Sequence, residues 1–327
     1  MYAELSYGVA QDSELIELTR HTRPGQPVPN MLFAAVQFLL LSGSRHPLAA
    51  HYPAISGEPR PLTPAFPHFR DFCLTHRDSI VPILSTRLTQ TNVIQRCACL
   101  LPMFAMVHRE TASPLALIEV GPSAGLNMNW DRYRYTYLDP SDHVAAEWGD
   151  AQSCVNLRCG LWGPQRPVLS RDVPATWRIG VDISPVDLQD PDQVLWLRAL
   201  IWPEHVERQE QLLAAIEVAR THETPMVRGD AVERLPELLA QAPDDSAVVV
   251  YATHVLYQLS REQRVRLLKS IEASAVDQGR RVDFVTMESS GAGHSQIFLH
   301  VYGPEGRISR ESAHANPHGR WLRWLSR

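Results

Sequence analysis

The chain has 327 residues, a formal net charge of −5 at pH 7, and a hydrophobic fraction of 44%. This length is enough for two domains or one large one, and the composition is ordinary for a globular protein. The negative charge and the lack of a basic run argue against a nucleic-acid protein that relies on a phosphate-binding stripe.

The sequence also predicts a compartment. The longest apolar run, Met31 to Leu41, is shorter than the about 20 residues that a membrane-spanning helix needs. No signal peptide is recognisable, and an odd number of cysteines without a C-x-x-C pair fits a reducing environment. We expect a cytoplasmic protein with no membrane partner. A zinc site at Cys154 and Cys159 is disfavoured, because no second ligand pair follows at suitable spacing.

Residues 1–112 are predicted to form an N-terminal helical domain. Asn30 is expected to cap the helix that carries Met31 to Leu41, and the proline-rich residues 53–67 are expected to form an ordered loop. A helix over Thr91 to Val107, with Pro102 as a kink or junction, is the last one before the first strand.

From Pro114 onward strands alternate with helices, which predicts an α/β domain over 113–327 with a mostly parallel, Rossmann-like sheet. An antiparallel C-terminal hairpin is expected around residues 303–306. An aromatic-rich insert at about 130–176 is expected to form hairpin or loop structure. Five strands are predicted: Leu115–Val120, Trp177–Ile183, Met226–Asp230, Ala247–Thr253 and Val282–Met287.

The segment from Leu115 to Asn127 organises this domain, because an apolar strand ends there in a glycine turn. In open α/β sheets, ligands bind beyond the carboxyl ends of the strands. The turn lacks the lysine of a phosphate-binding loop and two glycines of a dinucleotide fingerprint. Its spacing instead fits the acidic-x-Gly-x-Gly/Ser-x-Gly pattern of S-adenosylmethionine sites, with these candidate cofactor-binding residues: Glu119, Gly121, Ser123, Gly125 and Asn127.

Two later strand ends resemble the corresponding motifs of methyltransferases. Asp182 resembles the acid that binds the ribose hydroxyls, and Asp230 resembles the acid that lies beside the adenine. Each has a structural alternative, since Asp230 is also a good helix cap and Asp182 can serve the strand end alone.

Several stretches resemble a bacterial family catalogued as domain of unknown function 2332, and the resemblance covers nearly the whole chain. These stretches are Pro29–Val36, Arg87–Asn92, Glu119–Asn127, Trp202–Glu204 and His318–Trp321. The resemblance implies the fold of class I S-adenosylmethionine-dependent methyltransferases, and it implies no particular substrate. Ser123 in place of a glycine and the long insert depart from the wider superfamily.

The catalytic candidates follow the fourth strand. His254 is a candidate base near neutral pH, with Tyr257 and Glu288 as further candidates, and the alternative is that His254 only fills the strand end. No Asn/Asp-Pro-Pro-Tyr motif is present, which disfavours methylation of a base or glutamine amide. Asn92 and Arg96, with Gln95, share one face of the predicted helix and are expected to bind a carboxylate of the cofactor or acceptor, unless that face is simply solvated.

The sequence thus favours a methyltransferase with S-adenosylmethionine as cofactor and an unidentified small molecule as substrate. The alternative is a non-catalytic protein on the same fold that binds S-adenosylmethionine, another nucleoside or a partner.

Overall fold

The structure, a computed structural model, describes residues 1–57, 64–222 and 224–326. The chain folds as an α/β protein with two compact units. The first comprises residues 1–91 and 187–213, and the second comprises residues 92–186 and 214–327.

The first unit is helical. Its helices are α1 Tyr2–Ala10, α2 Ser13–Thr19, α3 Val28–Leu41, α4 Pro53–Ser56, α5 Phe66–Thr75, α6 Arg77–Thr86 and α8 Pro191–Ala199, and it also holds the start of α9 Val206–Thr221. Helix α3 is apolar almost all round and is buried in this unit's core, as such a composition predicts. Its one buried amide, Gln37, donates from Nε2 to the Ile201 carbonyl over 2.8 Å.

Two local predictions in this unit need correction. Asn30 is not the cap of α3, because the helix begins at Val28 and Pro27 occupies the N-cap position. Proline is well suited to the first helical turn, so Pro29 does not delay the helix start. The predicted loop at 53–67 contains α4 and the start of α5, and its residues 58–63 lie outside the described part of the chain.

The second unit is built on one mixed, mostly parallel sheet. Its strands lie in the order β3-β2-β4-β11-β10-β9-β8-β7-β1-β5-β6. Their bounds are β1 Leu115–Val120, β2 Arg134–Leu138, β3 Val144–Trp148, β4 Asn156–Leu161, β5 Ala175–Asp182, β6 Met226–Arg228, β7 Ala247–Thr253, β8 Val282–Ser289, β9 Ser295–Gly303, β10 Gly306–Ala315 and β11 Trp321–Trp324.

The five predicted parallel strands form the half of the sheet that contains β1. After β1 the chain places β5 and β6 on one side, and it then returns to add β7 and β8 on the other side. The strand order therefore reverses at β1, and such a reversal creates a crevice at the carboxyl ends of the strands. Helices α10 Ala231–Gln241 and α11 Arg261–Asp277 cover one face of this half with an apolar core.

The remaining strands extend the sheet beyond β8. The predicted C-terminal hairpin is confirmed as antiparallel β9 and β10, and the insert forms the antiparallel pair β2 and β3 together with β4. Tyr137 of the insert is fully buried, and its hydroxyl donates to the Ala98 carbonyl over 2.8 Å. Strand β11, which pairs in parallel with β4, was not predicted.

Helix α7, Cys97–Thr111, belongs to the second unit, whereas the sequence-based boundary at residue 112 assigns it to the helical domain. It lies against β4 and β7, and this packing explains the grouping. Among the residues that the structure describes, no helix is both long and apolar enough to cross a membrane.

Candidate functional site

The turn after β1 has a backbone conformation that few side chains adopt. Gly121, Ser123 and Gly125 have φ angles of 70°, 57° and 71°, all in the left-handed region. Glycine enters this region freely, while a serine does so at a cost in free energy. A Cβ atom at Gly121 would lie 2.5 Å from Cγ2 of Val255, so the close approach of the loop after β7 also requires glycine there.

Asp182 connects this turn to the end of β5. The Ser123 backbone N–H donates to its Oδ2 over 2.9 Å, and the Ser184 N–H donates to its Oδ1 over 2.8 Å. Asp182 is only 9% exposed. The first two predicted motifs therefore form one hydrogen-bonded structure at adjacent strand ends.

Ile183 lies next to Asp182 and was not among the predicted site residues. The predicted strand Trp177–Ile183 includes it, but β5 ends at Asp182 and the Ile183 side chain is 69% exposed. An apolar run in a sequence does not reveal where the strand leaves the sheet. The result is a large apolar side chain in solvent, directly beside the acid that holds the turn.

Glu119 lies beneath the turn and is 1% exposed. The Tyr251 hydroxyl donates to its Oε2 over 3.0 Å, and Nδ2 of Asn127 donates to its Oε1 over 3.2 Å. Burial raises the pKa of this carboxyl to about 7, although the two hydrogen bonds act in the opposite direction. Glu119 is therefore a buried acid whose charge changes near neutral pH.

Asn127 links Glu119 to helix α7. Besides its bond to Glu119, it accepts a hydrogen bond at Oδ1 from the Cys97 thiol, with 3.4 Å between the heavy atoms. Both side chains are buried, and burial raises the pKa of Cys97 well above its usual value. Asn127 thus holds the far end of the turn to the interior of the unit.

Asp230 has the capping role that the sequence left open. It is the N-cap residue of α10, and its Oδ1 accepts the Val232 N–H over 2.8 Å. The start of β6 nevertheless lies next to the turn, since a Cβ at Gly125 would be 3.2 Å from Sδ of Met226. A cofactor-binding role for Asp230 stays a prediction.

His254 is held in an unusual conformation at the end of β7. Its φ is 53°, its backbone N–H donates to the Met287 carbonyl over 2.8 Å, and its Nε2 lies 2.8 Å from Oγ of Ser295. Burial, and then the nearby Arg96 guanidinium, lower the pKa of His254 to about 4. The imidazole is therefore neutral at pH 7, and it is a weaker base than an ordinary histidine.

The other two catalytic candidates differ in their surroundings. Glu288 accepts the backbone N–H groups of Val255 and Leu256 at one oxygen, each over 3.0 Å, and burial raises its pKa. It fixes the loop that approaches Gly121. Tyr257 lies in the short 3-10 turn Leu256–Gln258 and is 69% exposed.

The predicted shared helical face of Asn92, Gln95 and Arg96 is wrong. Asn92 precedes a 3-10 turn at Ile94–Arg96, and the α-helix begins only at Cys97. A 3-10 turn has three residues per turn, so the spacing expected for an α-helix does not apply. Asn92 still contacts the glycine turn segment, because its Oδ1 accepts the Leu126 N–H over 3.0 Å.

Arg96 and Gln95 are buried and bind backbone carbonyls. Arg96, 9% exposed, donates from Nε to Pro317 over 2.9 Å and from Nη1 to Thr253 over 3.4 Å. Gln95 donates from Nε2 to the Arg158 carbonyl over 3.0 Å. The Arg96 cation therefore lies close to the end of β7. A substrate-binding role for Asn92 and Arg96 stays a prediction.

The two cysteines of the disfavoured zinc site lie in different surroundings, because Cys154 is exposed to solvent and Cys159 is buried. Across residues 1–57, 64–222 and 224–326, no group of three or more His, Cys, Asp and Glu side chains could hold a metal ion.

The fold and the site define an α/β protein with a glycine turn and buried acids at the carboxyl ends of its central strands. Residues 1–324 match the family described as "Uncharacterized protein conserved in bacteria (DUF2332)", and the chain belongs to that family. Neither a curated protein nor a solved structure matches the chain.

Proposed function

We propose that the protein is an S-adenosylmethionine-dependent methyltransferase that acts on a small molecule. The observation that carries the proposal is the 2.9 Å hydrogen bond from the Ser123 N–H to Asp182. It joins the glycine turn after β1 to the acid at the end of β5, next to the point where the strand order reverses. In open α/β sheets this point is where ligands bind.

The chemistry of the surrounding residues supports a nucleoside with a cationic tail. The left-handed backbone at Gly121 and Gly125 lets a ligand approach the turn closely. Ile183, exposed beside Asp182, offers an apolar contact to an adenine ring, while the carboxylate of Asp182 suits ribose hydroxyls. The ionised form of Glu119 beneath the turn favours the positive charge of the ammonium and sulfonium groups.

Calorimetry with S-adenosylmethionine and S-adenosylhomocysteine tests the proposal, and Ile183→Asp is the sharpest variant. Its side chain is exposed, so the change should leave folding intact while removing an apolar contact and adding a charge. We expect at least about tenfold weaker binding, since burying an isoleucine contributes about 1.5–3 kcal/mol.

Ile308→Asp is the matched control, because Ile308 is 70% exposed in the same unit and lies on β10, away from these strand ends. It should bind as the wild type does. Absence of binding of either nucleoside to the wild-type protein at millimolar concentration would refute the proposal.

A second candidate is a non-catalytic protein that binds the same nucleoside. It is favoured by one observation: the low pKa of His254 makes this residue a poor general base at neutral pH. Binding of S-adenosylmethionine without formation of S-adenosylhomocysteine, over a panel of carboxylic acids, amines and phenols, would support this candidate and count against the methyltransferase.

A further inference from the structure

His254 and Ser295 form a side-chain pair at the carboxyl end of β7. Ser295 is the first residue of β9 and is fully buried. Its Oγ lies 2.8 Å from Nε2 of His254, and within the described residues the histidine is the only hydrogen-bond partner of this hydroxyl. The pair therefore has to satisfy the serine hydroxyl completely.

The direction of this hydrogen bond determines which ring nitrogen carries the proton. A serine hydroxyl can donate or accept. If it accepted from Nε2–H, its own hydrogen would be buried without an acceptor, which folded proteins avoid. The hydroxyl of Ser295 therefore donates, Nε2 of His254 accepts, and the neutral ring carries its proton on Nδ1.

This tautomer gives His254 a role different from that of a base. The nitrogen with a lone pair is already used by Ser295, whereas Nδ1–H is a donor with no partner among the residues that the structure describes. The ring is half-buried, and the next residue, Val255, lies against Gly121 of the turn. The donor therefore belongs to the residue that directly precedes the one in contact with the predicted cofactor turn.

We propose that His254 is a fixed hydrogen-bond donor that binds a carboxylate oxygen of a ligand through Nδ1–H, and that Ser295 is the positioning residue that sets this tautomer. An anion is favoured because the guanidinium of Arg96 lies close to the same strand end, with Nη1 3.4 Å from the Thr253 carbonyl. A carboxylate accepts hydrogen bonds and donates none, which matches a lone donor.

If the protein has the proposed function, this carboxylate belongs to the substrate and is the methyl acceptor; this step rests on the proposed function. In that reaction one carboxylate oxygen attacks the methyl carbon, an O–C bond forms, and the C–S bond breaks. The sulfur keeps the electron pair of that bond, so a sulfonium and a carboxylate become a neutral thioether and a neutral methyl ester. No proton is transferred, and the reaction needs no base.

Nitrogen NMR of the full-length protein with ¹⁵N-labelled histidine tests the tautomer directly, without any nucleoside present. The His254 resonances are those that disappear in His254→Gln. We expect the wild-type ring at pH 7 to be protonated on Nδ1. Ser295→Ala should shift the ring toward a mixture of tautomers, and Ser295→Thr, which restores the hydroxyl, should restore the Nδ1–H form.

Ser309→Ala is the matched control. The Ser309 hydroxyl lies 2.8 Å from Nδ1 of His300, whereas the Ser295 hydroxyl lies beside Nε2 of His254. Burial lowers the pKa of His300 to about 4, as it does for His254. This variant should change the resonances of His300 and leave those of His254 unchanged.

Acetate is the ligand probe. It should shift the Nδ1 resonance of wild-type His254 in a saturable manner, with at least several-fold weaker affinity in Ser295→Ala, and methylammonium should have no effect. The proposal is overturned if wild-type His254 carries its proton on Nε2, if Ser295→Ala leaves the tautomer unchanged, or if acetate gives no saturable shift. These results do not depend on S-adenosylmethionine binding, so failure of the proposed function would be seen separately by calorimetry.

Discussion

Replacing Glu119 with glutamine should change how the stability of the protein depends on pH. The pKa of this carboxyl is about 7 in the folded protein, against 4.5 for an ordinary glutamate. Between these two values the folded state binds more protons than the unfolded state. The free energy of unfolding of the wild type therefore falls as pH rises from about 4.5 to 7, and this contribution stays constant above that range.

The difference between the two pKa values corresponds to ~3 kcal/mol of unfolding free energy. This magnitude is an upper figure, because a folded protein relaxes around a newly formed charge. A glutamine side chain has the shape of glutamate and cannot titrate. The unfolding free energy of Glu119→Gln should therefore lack the decline that Glu119 causes between pH 4.5 and 7. Any change in its hydrogen bonds to Tyr251 and Asn127 adds only an offset that is the same at every pH.

Other groups titrate in the same range, and the comparison with the variant removes them. His254 and His300 have lowered pKa values of about 4, so they make the wild type more stable as pH rises toward 6.5. Asp283, which is buried and has its pKa raised to about 6, acts in the same direction as Glu119. All three are present in both proteins, so their contributions cancel in the difference.

Urea unfolding of both proteins at pH 5, 6, 7 and 8, followed by circular dichroism, measures this difference. We expect the wild type to lose up to about 2.5 kcal/mol relative to Glu119→Gln between pH 5 and 8, because part of the change lies below pH 5. Asp283→Asn serves as a positional control, because its effect should be confined to pH values below about 6. A difference between wild type and Glu119→Gln that is constant over the whole range would refute the assignment of a raised pKa to Glu119.

Two further stability predictions concern backbone geometry and capping. Gly121→Ala should destabilise the protein by about 2–4 kcal/mol, from a strained positive φ and a Cβ 2.5 Å from Val255. Gly279→Ala is the control, because Gly279 has a φ of 58° and open space around the new Cβ; it should lower the unfolding free energy by only about 1 kcal/mol. Equal losses for the two variants in urea unfolding would contradict the steric argument. Ser260→Ala removes the capping box that Ser260 forms with Gln263 at the start of α11, and it should lower the unfolding free energy by about 1 kcal/mol. An unchanged midpoint in urea unfolding would show that this cap contributes little.

The sequence predicted the central part of the sheet well, because its signals are local. A continuous apolar run that ends in a glycine turn identified β1, and capping residues marked the helices between the strands. Strand β11 was missed because it has four residues and pairs with β4 at Trp321 and Gly160, which are far apart in the chain. Local periodicity does not report such long-range pairing.

The sequence predicts only those parts of the candidate site where a recognisable motif lies at a single strand end. Glu119 and Asp182 were recognised from spacing, but their hydrogen-bond partners were not, because each bond connects different segments of the chain. Ser295 gave no signal at all, since a serine at the start of a strand is ordinary until the fold brings His254 to within 2.8 Å. The part of the site that depends on tertiary contacts was therefore beyond sequence reasoning.

Backbone strain gives an independent reason to locate function at these strand ends. Four non-glycine residues in the described segments have positive φ angles: Ala112, Ser123, Asp142 and His254. Ala112 ends a helix and Asp142 lies in a hairpin turn, where left-handed residues are common. Ser123 and His254 instead follow two neighbouring parallel strands, β1 and β7, and each forms a hydrogen bond with a residue at the end of another strand. Such strain persists only where surrounding contacts enforce it, and it concentrates at ligand sites. The two strained residues follow the two strands between which the order reverses, so the backbone strain and the topology independently indicate the same strand ends.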